Sequence, residues 1–121
     1  MSSLKRPTTG DVLYHRLTKD QLTLDPALLA AHGRTARTLV KEGPLRLTLM
    51  AIAKEGTLPE HRADGPVSIH VLDGDVVFSA NNAEYPLAAG DVLVFASGVT
   101  HSAKSRSGCT FLLTVVHPAS P

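Results

Sequence analysis

Tryptophan is absent from this chain of 121 residues, and the other aromatics amount to two tyrosines and three phenylalanines. So sparse a set leaves no row of stacking platforms of the kind that single-stranded nucleic acid requires. Charge of one sign is missing too: twelve basic residues stand against eleven acidic ones, for a net +1, and the cations are scattered. Without a basic stripe there is no electrostatic footprint for a polyanion, so nucleic acid is not an expected partner. Cys109 is the only cysteine, which excludes an intrachain disulfide and a thiolate zinc cluster. Its setting, "GCTFLLTVV", reads as a buried inert thiol rather than a nucleophile. Long hydrophobic runs are also lacking. Nothing approaches transmembrane length, and "MSSLKRPTTG" has no apolar stretch that could act as a signal peptide. The expectation is a cytoplasmic protein with no membrane partner.

What is present describes one compact domain, 43% hydrophobic and 19% charged. Residues 1–34 read as an N-terminal arm and short helix packing on the remainder, and "GDVLYHRL" has the composition of a short strand. In "LDPALLAAHG", Asp25 suits the N-cap, Pro26 the first helical position and Gly33 the position past the end. From Thr35 the pattern turns to β. The runs "TARTLV", "LRLTLMAIA", "VSIHVL", "DVVFSA", "AEYPLA", "DVLVFA" and "CTFLLTVV" are short and rich in Val, Leu, Ile, Thr and Phe. Turn-forming residues divide them: "KEGP", "DG", "NN", "AAGD" and "SRSG".

The spacing leaves no room for crossover helices, so residues 35–117 should form an antiparallel sandwich or barrel of seven or more strands. Residues 118–121 read as a frayed tail. Asp73-Gly74 has the chemistry of a two-residue hairpin turn joining "SIHVL" to "DVVFS", and Asn81-Asn82 suits the next reversal. Runs such as "LLTVV" and "VLVF" are apolar at consecutive positions, which implies that both faces are covered. The barrel interior covers one face, and an opposing sheet or a second subunit the other. A homodimer is the expectation.

The segment from Gly56 to His101 resembles the cupin superfamily, small β-barrels that commonly hold a divalent metal through two motifs. The resemblance extends over about Thr35 to Val116, and "VLDGDVVF…YPLAAGDVLVFASGVTHS" is its most specific part. It implies an all-β fold, an antiparallel double-stranded β-helix or jelly-roll barrel, here with a short N-terminal helix. The family's first motif is a glycine, histidine-x-histidine, a glutamate and a closing glycine. His61 matches the first histidine, Gly74 the closing glycine, and Gly56 the opening glycine one residue closer than usual. The second histidine position holds Ala63 and the glutamate position holds Val67. In the second motif Gly90, Gly98 and His101 match, whereas Ala96 replaces the proline and Ser105 the asparagine. Two of four expected metal ligands remain, His61 and His101.

A first-row divalent ion usually wants at least three protein ligands. Asp64, Glu60, Ser68 and His70 are the candidates for a third. Glu60 points away from His61 if the segment is extended. Ser68, one step from the glutamate position, is a poor metal ligand. His70 lies opposite Val67, Ile69 and Val71 on a strand, unless a bulge or register slip reverses it. Two facing imidazoles without a tight metal can instead serve a small pocket as hydrogen-bonding groups or as an acid–base pair near neutral pH. Arg62, beside His61, and Arg46 could meet an anionic ligand at the barrel mouth. His15, His32 and His117 lie outside the motifs and read as surface or capping residues.

The expected function is therefore a small barrel protein, with the family's metal site degraded, that binds a small-molecule ligand through His61, His101, Arg62 and Ser68. No reaction is assigned, and its cofactor is none or a weakly bound zinc, iron, manganese or nickel ion. The alternative is a metal-dependent oxygenase or isomerase using His61, His101 and an unorthodox third ligand.

Overall fold

The computed structural model describes residues 7–18 and 24–118. Helix α1 (Pro26–His32) forms where its capping residues call for it. The Asp25 carboxylate accepts from the amides of Ala27 and Leu28, and Gly33 closes the helix in the left-handed region with its N–H on the Leu29 carbonyl. Eight strands follow: β1 (Arg34–Glu42), β2 (Leu45–Ile52), β3 (Gly56–His61), β4 (Val67–Ala80), β5 (Ala83–Ala88), β6 (Val92–Phe95), β7 (His101–Ser105) and β8 (Cys109–Val116). All pair antiparallel.

The strands curl into two sheets that share β4. One sheet runs β1-β2-β8-β4-β6 and the other β5-β4-β7-β3. Asp73-Gly74, expected to make a hairpin, does not reverse the chain. The two expected strands are one strand of 14 residues, and Asp73-Gly74 is the bend within it. From Val67 to His70 the strand pairs with β6 and, as far as Gly74, with β8; from Asp75 it pairs with β5, and from Val77 also with β7. The register slips between Val71 and Asp73, and Gly74 takes φ 77°. A Cβ there would lie 2.1 Å from the Gly108 carbonyl oxygen, so the bend needs glycine for space as well as for φ. Asn81-Asn82 does make the expected reversal. Both residues have positive φ, 51° and 63°, between the paired Ala80 and Ala83.

Two strands escape the sequence pattern. β3, "GTLPEH", and β7, "HSAKS", are polar and poor in β-branched residues, and their extended conformation comes from pairing with each other and of β7 with β4. Residues 12–18 form neither helix nor strand; the arm is tied to β1 by single bonds, Lys41 N–H to the Thr8 carbonyl and the His15 ring to the Leu39 carbonyl.

Two cores result. Inward residues of both sheets, among them Val67, Ile69, Val71, Val76, Phe78, Phe95, Phe111 and Val115, fill the barrel. On the outer face of the first sheet, Leu13, Leu17, Leu24 and Leu29 from the arm and helix pack on Leu39, Val40, Leu49 and Ala51. The chain itself thus supplies part of the cover that the two-faced strands require. Among the described residues no helix is long and apolar enough to cross a membrane.

Candidate functional site

The end of β3 and the start of β7 meet at one mouth of the barrel, where His61 and His101 are cross-strand partners. Their ring centroids are 4.2 Å apart in an edge-to-face arrangement. A register shift between Leu58 and His61 re-aims the end of β3. His101 is 2% exposed and His61 exposed, so one imidazole is sunk in the barrel wall and the other faces solvent.

Each ring is held the same way. The His61 Nδ1 lies 3.0 Å from the Pro59 carbonyl oxygen, and the His101 Nδ1 lies 3.0 Å from that of Val99. A carbonyl can only accept, so each Nδ1 carries a proton, and in the neutral ring each Nε2 is left with a bare lone pair. No buried side-chain nitrogen or oxygen among the described residues lacks a partner. The His101 Nε2, which makes no bond of its own, is therefore open to the mouth rather than sealed in the core.

Behind the pair the wall is aromatic. Phe95 stacks on His101 with centroids 4.4 Å apart and planes 10° from parallel, and Phe78 links Phe95 to Phe111 deeper in the core. This apolar surround lowers the pKa of His101: burial is the main cause, the Val99 carbonyl opposes it, and the neighbouring His61 adds to it. His101 is thus held neutral near pH 7 as a hydrogen-bond acceptor or base.

Around the pair the positions are clear. Arg62 is exposed next to His61. Ala63 packs against the core, and the loop carrying it is pinned by Gly98 N–H to the Ala63 carbonyl and Ser97 Oγ to the Asp64 carbonyl. Arg46 stands in one register row with Val115 and Val67, but its guanidinium donates to the carbonyls of Gly43 and Leu45. Ser68 does not join the histidines. Val67 occupies the inward position at 3% exposure, so Ser68 falls on the outer face opposite Val94 and Thr114. The alternation that turns Val67 inward forces this, and it carries His70 outward as well.

The metal expectation can be tested on the donor set. Among the described residues no group of three His, Cys, Asp or Glu side chains could hold an ion. The two positions where the family has further ligands are a core-packed alanine and a buried valine. Two imidazoles alone do not fit a tightly held divalent ion.

Two cavities lie on the outside of the barrel. A groove of about 750 Å³ runs over the second sheet, lined by Thr57, Val77, Pro86, Lys104 and Arg106 among others, away from the histidines. A polar crevice of about 430 Å³ adjoins the mouth and is lined by Glu60, Ser79, Asn81, Asn82, Glu84, Thr100 and Ser102. Glu60 and Thr100, each beside one of the paired histidines, place the crevice next to them, and no sequence motif marked it.

A small antiparallel barrel with one histidine from each of two motif segments at its mouth defines the class. The chain belongs to the cupin family, whose domain model matches residues 48–117. No curated protein matches the sequence. Among solved structures, a conserved protein of unknown function from Streptococcus pyogenes is similar over 98% of this chain and 100% of its own, at 18% identity and TM-score 0.75. A cupin superfamily protein from Desulfitobacterium hafniense is similar over 70% and 78%, at 16% identity and TM-score 0.68. KdgF from a Halomonas species is similar over 73% and 81%, at 15% identity and TM-score 0.63. Likeness at this level of identity establishes the fold and no activity.

Proposed function

We propose that this cupin binds a small polar molecule at the barrel mouth through the paired imidazoles of His61 and His101, without a tightly held resident metal. The observation that carries this reading is the matched orientation of the two rings. Both Nδ1 atoms are committed to backbone carbonyls, so both Nε2 atoms are left for an external group. Two fixed lone pairs suit a ligand that offers hydroxyl or N–H donors, and Arg62 alongside suits one that also carries negative charge. Ser68, on the outer face, has no part in it. Below the pair the barrel is filled by Phe78, Phe95 and Phe111, so the ligand rests on the mouth and does not enter the core.

The reading as a metal-dependent oxygenase or isomerase needs a third ligand that the described residues do not bring to the pair. Metal analysis of protein purified without chelator, together with a small-molecule screen followed by imidazole ring-proton NMR, separates the two. Expected are substoichiometric zinc, iron, manganese and nickel, with ligand-induced shifts on His61 and His101 but not on His15 or His70. Near-stoichiometric metal that vanishes in the His61→Ala/His101→Ala variant would overturn the proposal.

A further inference from the structure

The groove of about 750 Å³ on the second sheet lies apart from the histidines, and alternation along the strands sets its floor. Val76, Phe78, Leu87, Ala103 and Ser105 turn inward and are buried. Val77, Pro86 and Lys104, which share one register row, therefore turn outward, and the first two make the floor apolar. Around it stand two cations, Lys104 on β7 and Arg106 just past its end. Three carboxylates line the same groove: Asp75 on β4, Asp91 in the turn after β5 and Glu55 in the turn before β3. Among the described residues no ion pair joins the two sets, and the side chains of Lys104, Arg106 and Glu55 make no hydrogen bond. Asp91 Oδ2 accepts from the Ala88 N–H at 2.8 Å, and Asp75 Oδ1 from the Ser107 hydroxyl at 2.8 Å. These bonds hold both carboxylates on the β5–β4 side and leave the second oxygen of each for another donor.

A cleft of this volume with an apolar floor and a few polar groups has the anatomy of a small-molecule site, and the separated charges select its occupant. A ligand of one sign would satisfy one set and meet its like in the other; a dipolar ligand satisfies both. Neighbouring strands lie about 4.8 Å apart. Carboxylates on β4 and beside β5 therefore stand about 5–10 Å across the sheet from the cations of β7. An extended dipeptide spans about 7 Å between its charged ends, and a single amino acid only about 3.5 Å. We infer that the groove binds a dipeptide-sized zwitterion with an apolar side chain. Its ammonium lies at Asp75 and Asp91, its carboxylate at Lys104 and Arg106, and its side chain on Val77 and Pro86. Glu55, whose N–H bonds to the Arg106 carbonyl, bounds the groove beyond the cations.

Titration of leucyl-leucine into the 15N-labelled full chain tests it. Expected is saturable binding with a Kd below about 1 mM. The amides of Val77, Ala88 and Arg106 should shift, and the ring protons of His61 and His101 should stay in place. N-acetyl-leucyl-leucine lacks the ammonium and leucyl-leucinamide lacks the carboxylate, and each should bind about tenfold more weakly. Lys104→Gln should weaken the free dipeptide by a similar factor. So should Asp91→Asn, which keeps an acceptor for the Ala88 N–H. The two blocked peptides need no substitution, so the test stands even if a variant fails to fold. No saturable shift up to about 10 mM dipeptide would overturn the inference. So would shifts that avoid the groove, or a blocked peptide that binds as tightly as the free one.

Discussion

His101 is the residue in which packing and proton chemistry meet. Its ring is stacked on Phe95 and buried, and that burial holds its pKa below the ordinary 6.5 of imidazole. The native state then binds fewer protons than the unfolded chain while pH lies around the interval between the lowered native value and 6.5. The stability this gives is present in full above the unfolded value and is lost as pH falls through the lowered native one. The melting temperature should therefore drop as pH falls from about 7.5 through 6.5 and below. In His101→Gln, which cannot titrate, the drop should be smaller. Thermal melts of both proteins across that range check this, and equal slopes would contradict it.

At the scale of the element, two turn-forming pairs with similar local chemistry do different things. Asn81-Asn82 reverses the chain, because β5 returns alongside β4 at once. Asp73-Gly74 only bends it, because β8 pairs on through both residues and β5 begins to pair at Asp75. Positive φ is legible in such dipeptides; whether the chain turns back depends on which strands lie alongside. The same reasoning explains why β3 and β7 went unread, since their polar residues become strands only through partners distant in the chain. Asn82 at φ 63° accepts a conformation that glycine adopts without steric cost. Asn82→Gly is expected to raise stability by about 0.5 kcal/mol, seen as a higher urea midpoint with an unchanged slope.

For the molecule as a whole, the barrel closes on contacts too tight for a side chain. Gly65, in the loop between His61 and β4, is buried, and a Cβ there would fall 1.6 Å from the Val116 carbonyl oxygen at the end of β8. Backbone must move to admit it. Gly65→Ala should cost about 2–3 kcal/mol by denaturant unfolding and, because that loop leads from His61, should disturb the imidazole ring-proton shifts at the mouth. Wild-type stability with unchanged shifts would show that the mouth is not braced in this way.

The helix with its caps, the antiparallel β character and the Asn81-Asn82 reversal were legible in the residues, and the pairing of His61 with His101 was implied by the resemblance to cupins. Capping, turn chemistry and alternation act over a few neighbours, and the family resemblance supplied the one long-range link. The fusion of two expected strands into β4 and the strands β3 and β7 depended on register across the sheets. So did the commitment of each imidazole Nδ1 to a carbonyl. These follow from which strands come to lie side by side, a choice made by burying both cores at once, and no local stretch of sequence carries it.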